Sequence, residues 1–288
     1  MARKATQVAA VLALGASLGG CAFFRGGVVL PDDLKAAAER PELGGPALLR
    51  AYQAEIELAT WRAAAELVAL EPAQGLPQAT RAALSSGLRR AYGSARLFEL
   101  AATSLRADWN SDAARAQLEF LDSWLGRSVT RALAKRSNPR ELERFRKWAE
   151  TWTASELSIE RRAQLERLDR ALLISQGSVF VHQILVEGSL AATASALAPI
   201  QAAPFRATQV RYRESGAAQY RIAADEALKW HAFSWRSLSA ADLDHWAEFA
   251  ESEHGQWFVV TSARAYRAAV ARANEDLFQA LRPRGSSD

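Results

Sequence analysis

Apolar residues along this chain recur with the spacing of α-helices. Between Ala114 and Leu125, and again between Leu243 and Ala250, apolar side chains return every three or four residues and share one helix face. No segment alternates β-branched and polar residues, and the nearest approach is SVFVHQILV at residues 178–186. Alanine, leucine, arginine and glutamate dominate the composition, and all four favour helix. The pattern therefore predicts an all-α fold.

Local signals mark where several of these helices begin. Asn138 suits an N-cap because Pro139 follows at the first helical position and Glu141 stands at the third. Ser239 and Asp242 have the spacing of a capping box, in which each side chain bonds the backbone of the other residue. Further breaks are predicted at proline-containing segments: Pro72–Pro77, Pro199–Pro204 and Pro283.

Two segments of the chain match each other without a gap. LEFLDSWLGRSV (Leu118–Val129) aligns with AEFAESEHGQWF (Ala247–Phe258) at an offset of 129 residues. Asn110 and Ser239 precede the two copies as predicted helix starts. The alternative explanation is coincidence in an alanine-rich helical sequence. We interpret the match as an internal repeat of two tandem antiparallel helical modules. The matched residues of main interest are Phe120, Ser123, Gly126, Phe249, Ser252 and Gly255.

These residues resemble the signature of a family of bacterial exported proteins, the domain of unknown function twenty fifty-nine. That signature places F-Y-x-S-x-x-G after a helix start and a run of acidic and apolar residues. The chain departs from it after each phenylalanine, with Leu121 and Ala250, and after each serine, with Trp124 and Glu253. The resemblance implies a helical fold and export, and it implies no particular activity.

The serine and glycine of each copy have a physical interpretation that needs no chemistry. Small residues three positions apart share one helix face and let a neighbouring backbone approach. Alternatively, the glycine ends a helix in a left-handed conformation. We favour a packing role for these residues over a ligand-binding role.

The N-terminus has the pattern of a secretory signal. Arg3 and Lys4 precede an apolar stretch from Ala5 to Leu18, which is shorter than the roughly 20 residues of a membrane-spanning helix. Leu18–Cys21 then resembles the bacterial lipobox. The resemblance implies cleavage after Gly20, a diacylglyceryl group on the Cys21 thiol and acylation of the new amino terminus. An ordinary signal peptide with a chance cysteine is the alternative.

The predicted lipid anchor bears on location and on redox chemistry. Cys21 is the only cysteine, so no disulfide is expected in an oxidising compartment. Ala22 stands where an inner-membrane retention signal would have aspartate, which favours the periplasmic face of the outer membrane over the inner membrane. Two or more acyl chains give stable attachment to a bilayer. We therefore expect a lipid-anchored envelope protein.

These signals divide the chain into six parts. Pro46–Leu70 in the first module and Arg162–Leu197 in the second are predicted to be long helical stretches. The predicted parts are a signal peptide (1–20), a tether (21–31), helical module 1 (32–137), a linking helix (138–154), helical module 2 (155–281) and a tail (282–288).

Net charge gives no sign of a nucleic-acid partner. Without residues 1–20 the chain has 34 basic residues against 32 acidic ones, a net charge of +2. Nucleic acid is also absent from the predicted compartment. The composition is that of an ordinary globular protein, with 49% hydrophobic and 24% charged residues.

The four histidines do not predict a metal site. His245, Glu248, Glu251 and His254 recur every three residues, so their directions drift around a helix instead of converging. A solvated polar face is the interpretation we favour. His182 lies among apolar residues and is expected to be a core histidine. No Ser-His-Asp arrangement or glycine-rich phosphate loop is visible, so neither a cofactor nor catalysis is expected.

Nine tryptophans are many for a chain of 288 residues. Core filling is the simplest explanation, whereas exposed indoles would indicate a ligand groove or a membrane-facing surface. Two functions remain open at this point. The first is a non-catalytic helical adaptor or structural component with a protein partner in the envelope. The alternative is a module that holds an apolar or peptide ligand in a groove between the two helical modules.

Overall fold

The computed structural model describes residues 30, 32–135 and 138–282, and only the backbone of residues 181 and 182. These residues form an all-helical protein, with two short 3-10 helices at Pro72–Gly75 and Ala154–Glu156 and no strand among them. The fourteen α-helices of the described chain are α1 (Leu34–Glu39), α2 (Pro41–Ala51), α3 (Ala54–Leu70), α4 (Gln78–Ala91), α5 (Ser94–Ala107), α6 (Ser111–Asp122), α7 (Trp124–Ala134), α8 (Pro139–Thr151), α9 (Ile159–Ala171), α10 (Ile174–Ala196), α11 (Pro199–Glu214), α12 (Gly216–Ser234), α13 (Ala240–Glu251) and α14 (Glu253–Leu281).

The helix starts predicted from the sequence are confirmed. The side chains of Asn110 and Asn138 cap α6 and α8 by accepting backbone N–H groups. Ser239 and Asp242 form a capping box at the start of α13. The most strand-like segment of the sequence, residues 178–186, lies within α10. Its apolar content reflects the central position of that helix.

The two long helical stretches expected from the sequence are each broken once. Pro46–Leu70 turns at Tyr52 and Gln53, and Arg162–Leu197 turns at Leu172 and Leu173. Gln53 (φ 61°) and Leu173 (φ 51°) are the two described non-glycine residues with left-handed backbone. A left-handed residue redirects the chain, so each predicted stretch is a pair of angled helices.

The same six helix pairings occur in the first and second halves of the chain. In the first half, α2 packs against α3, α5 and α6, α3 also packs against α4 and α5, and α6 packs against α7. In the second half, α9 packs against α10, α12 and α13, α10 also packs against α11 and α12, and α13 packs against α14.

Both hydrophobic cores draw on both halves of the chain. One core joins residues between Leu49 and Leu105 to residues between Leu185 and Leu277. The other joins α1, α2, α6 and α7 to Trp152 and to residues of α9, α12, α13 and α14. Segments 32–137 and 155–281 therefore do not have a core each. Helix α14 contributes most to this sharing, because it packs against α4, α5, α6 and α10.

Helix α10 is the one described helix that is long and apolar enough to cross a membrane. It packs against α3, α9, α11, α12 and α14.

Candidate ligand-binding cavity

A cavity of about 550 Å³ lies between the two halves of the chain. Its walls come from Tyr52, α3, one residue each of α6 and α7, the junction of α9 and α10, the first turns of α10, the end of α12 with Trp235, and α13 and α14. Gln176, Ser178, Phe180 and Tyr220 line the cavity and are exposed, so the cavity reaches the surface. Its volume is within the range of sites that hold small molecules.

Aromatic rings make up much of the cavity wall. Trp235 and Trp246 are buried and meet edge to face, with ring centroids 4.6 Å apart. Trp61 and Tyr266 meet in the same way at 5.2 Å. These contacts hold the rings and give the cavity a mainly apolar surface. The aromatic lining residues are Tyr52, Trp61, Phe180, Tyr220, Trp230, Trp235, Trp246, Phe249, Phe258 and Tyr266.

Two polar side chains that line the cavity, those of Tyr52 and Gln117, are hydrogen-bonded to each other. The Tyr52 hydroxyl donates to Gln117 Oε1 at 3.1 Å, and Gln117 Nε2 donates to the His254 carbonyl at 3.3 Å. Burial raises the pKa of Tyr52 well above its ordinary value, so the hydroxyl stays protonated. The bond from Gln117 to the His254 carbonyl ties α6 to α14 beside the cavity.

Two tryptophans of the wall, Trp235 and Trp246, have buried indole nitrogens. Among the described residues, no acceptor meets the indole N–H of Trp235 or of Trp246. The ring of His231 stacks on Trp235 with centroids 4.0 Å apart.

Glu57 is the one acidic residue among the described lining residues. It lies on α3, one turn before Trp61. Burial, and secondarily the negative charge of Glu57, raise the pKa of the Tyr266 hydroxyl well above its usual value.

The first turns of α10 form the wall nearest the solvent. Asp169 Oδ1 accepts from the Ser175 backbone N–H at 3.2 Å and from the Ser175 hydroxyl at 2.8 Å, which ties the end of α9 to the start of α10. Burial raises the pKa of Asp169, although the two bonds from Ser175 lower it. Gly177 follows on the cavity side, and a Cβ there would meet no atom within 4 Å.

The six motif residues form two helix corners with the same hydrogen bonds. Ser123 ends α6 and caps α7, and Ser252 ends α13 and caps α14. Gly126 N donates to Ser123 Oγ at 3.0 Å, and Gly255 N donates to Ser252 Oγ at 3.2 Å. Each serine hydroxyl donates to the carbonyl three residues before it, at 2.6 Å in the first corner and 2.7 Å in the second.

The corners differ from the sequence expectation in two ways. Neither matched segment is a continuous helix, because each breaks at its serine. No described glycine has a left-handed backbone, so the helix-ending alternative is wrong for both glycines. A Cβ on Gly126 would lie 2.0 Å from the Phe120 carbonyl oxygen, and one on Gly255 would lie 2.2 Å from that of Phe249. Each glycine permits the preceding helix to approach closely.

The two motif phenylalanines lie against each other. Phe120 and Phe249 stack with centroids 4.1 Å apart and planes 6° from parallel. Phe249 and Gly255 also line the cavity, whereas Phe120 and Gly126 are not among its described lining residues. The second corner therefore forms part of the cavity wall, and the first supports it from behind.

The polar residues considered as metal ligands do not converge. His245, Glu248, Glu251 and His254 are exposed, and Glu251 pairs with Arg167. In the part of the chain that the structure describes, no group of three or more His, Cys, Asp or Glu side chains could hold a metal ion. Cys21 and the side chain of His182 lie outside the described residues.

Comparisons of the chain with protein-family models, curated proteins and solved structures found no match. The cavity therefore has to be interpreted from its own residues. Sequence reasoning did not single out Glu57, Trp61 or Gly177 as site residues. The abundance of tryptophan was the one signal, since four of the nine tryptophans line the cavity.

Proposed function

We propose that the protein is a lipid-anchored envelope protein that binds an apolar small molecule in the cavity between its two halves. The observation that carries this proposal is the cavity of about 550 Å³ with its aromatic lining. A surface-open cavity of this volume with a predominantly apolar and aromatic lining has the usual form of a small-molecule site. An adaptor would need no such space, so the cavity favours ligand binding over the adaptor function.

Support for the anchor comes from the sequence of the first 21 residues. A short apolar stretch after Arg3 and Lys4 leads into the lipobox-like Leu18–Cys21. Acylation of Cys21 would attach the protein to the outer membrane on its periplasmic side. The tether of residues 21–31 would keep the cavity close to the bilayer surface, since eleven residues reach at most about 40 Å.

The internal repeat is also part of the proposal. Six helix pairings recur in the same order in the two halves, and the corners at Ser123 and Ser252 have matching hydrogen bonds. The left-handed turns at Gln53 and Leu173 occupy corresponding places in this order. These correspondences support two copies of one helical module that have come to share their cores. The resemblance to the domain of unknown function twenty fifty-nine rests on the same corners.

The proposed function is binding without catalysis. The lining is mainly apolar, and Tyr52 and Gln117 bond each other. Asp169 serves the helix junction through Ser175. The cavity thus provides a partly enclosed volume and an apolar surface, which are the properties of a carrier or sensor site.

The neutral fluorescent dye N-phenyl-1-naphthylamine tests the proposal. The mature chain with Cys21→Ser, free of lipid and detergent, should bind the dye at one saturable site with a rise in emission. Gly177→Trp should weaken binding by at least about tenfold, because Gly177 lines the cavity and a large side chain there would take up space at its wall. Gly75→Trp is the matched control, since Gly75 also faces open space and does not line the cavity.

Equal dye affinity in the Gly177→Trp and Gly75→Trp proteins would contradict the proposal. Circular dichroism and thermal unfolding of each variant should match the parent protein, so that loss of binding is not loss of the fold.

A further inference from the structure

One of the nine tryptophans lies on the surface, at the first position of α7. Trp124 is 63% exposed, whereas the other eight tryptophans are buried or half-buried. It is not among the described residues that line the cavity. An indole has a large apolar ring system and a single N–H donor, which suits it to the boundary between lipid and water. Trp124 therefore indicates a membrane-facing surface and not a ligand groove.

Basic residues continue the face of α7 that Trp124 begins. Arg127, Arg131 and Lys135, the last of which is the C-cap, follow Trp124 at intervals of three or four residues. The four side chains thus form one stripe along roughly 16 Å of helix, which we call the α7 stripe. The segment from Ser123 to Lys135 contains no acidic residue. One exposed indole followed by three cations on a single helix face is typical of a surface that meets anionic lipid headgroups.

The positive charge of the α7 stripe is only partly balanced within the described chain. Arg127 lies 3.5 Å from Asp122, and this pair is weak because both side chains are more than half exposed. Arg131 donates to the Arg127 carbonyl at 3.0 Å and to the Ser128 hydroxyl at 3.3 Å, and both acceptors are uncharged. No ion pair between described residues involves Arg131 or Lys135. A lipid phosphate would therefore meet cations that no described carboxylate already neutralises.

The α7 stripe lies over the same core as the start of the described chain. Leu30, the first described residue, packs against the hydrophobic core that contains Leu125 and Val129 of the buried face of α7. Cys21 precedes Leu30 by nine residues, which reach at most about 30 Å when fully extended. A bilayer that held an acylated Cys21 would thus be within about 30 Å of Leu30, on the part of the molecule that α7 covers.

We propose that the α7 stripe docks on the surface of a bilayer that contains anionic phospholipid. The indole of Trp124 lies among the headgroups, and Arg131 and Lys135 face lipid phosphates. Each basic residue near such a surface contributes about fivefold to the affinity, so the contact is weak alone and adds to an acyl anchor. The inference extends the anchor of the proposed function by giving the body an orientation on the membrane. It is independent of the cavity.

Cosedimentation with lipid vesicles tests the docking surface without the anchor. The mature Cys21→Ser protein is mixed with vesicles of phosphatidylcholine alone or of phosphatidylcholine and phosphatidylglycerol in equal parts. At low ionic strength it should bind the mixed vesicles at least about tenfold more tightly, and added salt should weaken this binding. Equal affinity for the two kinds of vesicle, or no binding to either, would overturn the proposal.

Substitutions in the α7 stripe should weaken binding to the mixed vesicles. The double variant Arg131→Gln and Lys135→Gln should lose at least about tenfold in affinity, because two cations leave the surface. Trp124→Gln keeps the charge and should lose at least about threefold, because the apolar contact of the indole is removed. Circular dichroism of each variant should match the parent protein, since Trp124 and Arg131 are exposed.

Matched substitutions elsewhere distinguish a specific surface from general attraction. Arg81 on α4 and Arg206 on α11 are exposed and take part in no ion pair between described residues, so Arg81→Gln with Arg206→Gln changes the net charge equally. Ile200 on α11 is 86% exposed, and Ile200→Gln is the control for the indole. Both controls should bind the mixed vesicles within about twofold of the parent protein.

The outcomes separate this inference from the proposed function. If the control variants lose as much affinity as the variants of the α7 stripe, total charge directs the binding and the proposal is wrong. That result would leave dye binding in the cavity and fractionation of Cys21→Ser as they are, because neither measurement depends on α7. Conversely, a protein that fails to bind the dye can still dock through the α7 stripe.

Discussion

Gly126 and Gly255 allow the closest backbone approaches at the two helix corners. At each corner the serine side chain turns back to cap the next helix, and the glycine three residues later lies against the carbonyl of the preceding phenylalanine. Any Cβ at either glycine would overlap that carbonyl and push two helices apart. The glycine is therefore required by space and not by backbone angle, since neither residue has a positive φ.

Valine at either glycine should destabilise the protein. We expect Gly126→Val and Gly255→Val each to lower the free energy of unfolding by about 3 kcal/mol, the upper end of overpacking costs. Gly177→Ala is the control, because its methyl group would meet no atom within 4 Å and should raise stability by about 0.5 kcal/mol. Urea unfolding followed by tryptophan fluorescence measures all three. Valine tolerated at both corners would contradict the close approach.

The sequence predicted these residues better than it predicted their arrangement. The match of Ser123 with Ser252 and of Gly126 with Gly255 was visible, because identical residues recur at a fixed offset. That the serine ends one helix and begins another was not visible, since the apolar spacing continues across it. Glu57 carried no signal either, because a glutamate on a helix is ordinary until its neighbours in space are known.

At the scale of elements, the chain is redirected without glycine or proline at two junctions. Gln53 and Leu173 adopt left-handed backbone between α2 and α3 and between α9 and α10. Helical periodicity predicted one stretch at each place because both residues are compatible with a helix. In the folded protein, the packing of the flanking helices breaks each stretch into two helices at these residues. The second junction brings Leu172, Leu173 and Ile174 to the cavity wall, so its geometry matters for the site.

Glycine at the first junction should stabilise the protein. A non-glycine residue in left-handed backbone costs about 1–2 kcal/mol, and glycine removes this cost while adding conformational entropy to the unfolded chain. We expect Gln53→Gly to raise the free energy of unfolding by about 0.5 kcal/mol. Ala83→Gly, at an exposed position inside α4, should lower it by about 1 kcal/mol. Urea titration of the two variants measures these opposite signs, and a loss in both would argue against the left-handed turn.

At the scale of the whole molecule, the sequence predicted helices well and their assembly poorly. An all-α protein follows from composition and spacing, and so do the helix starts at Asn110, Asn138 and Ser239. The sharing of both cores between the halves could not be predicted, because pairing between distant helices leaves no periodic trace. The cavity forms only when these distant helices pack together, so its position could not be predicted from the sequence either.

The proposed attachment to the membrane would be a property of the whole molecule that one residue controls. We expect Cys21→Ser to move the protein from the membrane pellet to the soluble periplasmic fraction, or to leave it unprocessed, since no other thiol can be acylated. Fractionation with a carbonate wash and intact-mass measurement provide the readouts. A processed variant that stays with the membranes would show that the anchor is not the acylated cysteine.

The placement of α14 has a consequence for how the chain is made. This helix of 29 residues ends at Leu281 and closes the apolar faces of α4, α5 and α6, which are synthesised long before it. A chain delivered from its N-terminus must therefore hold these faces uncovered until α14 arrives. A stop codon upstream of Glu253 would then produce an aggregation-prone polypeptide and not a shorter folded protein.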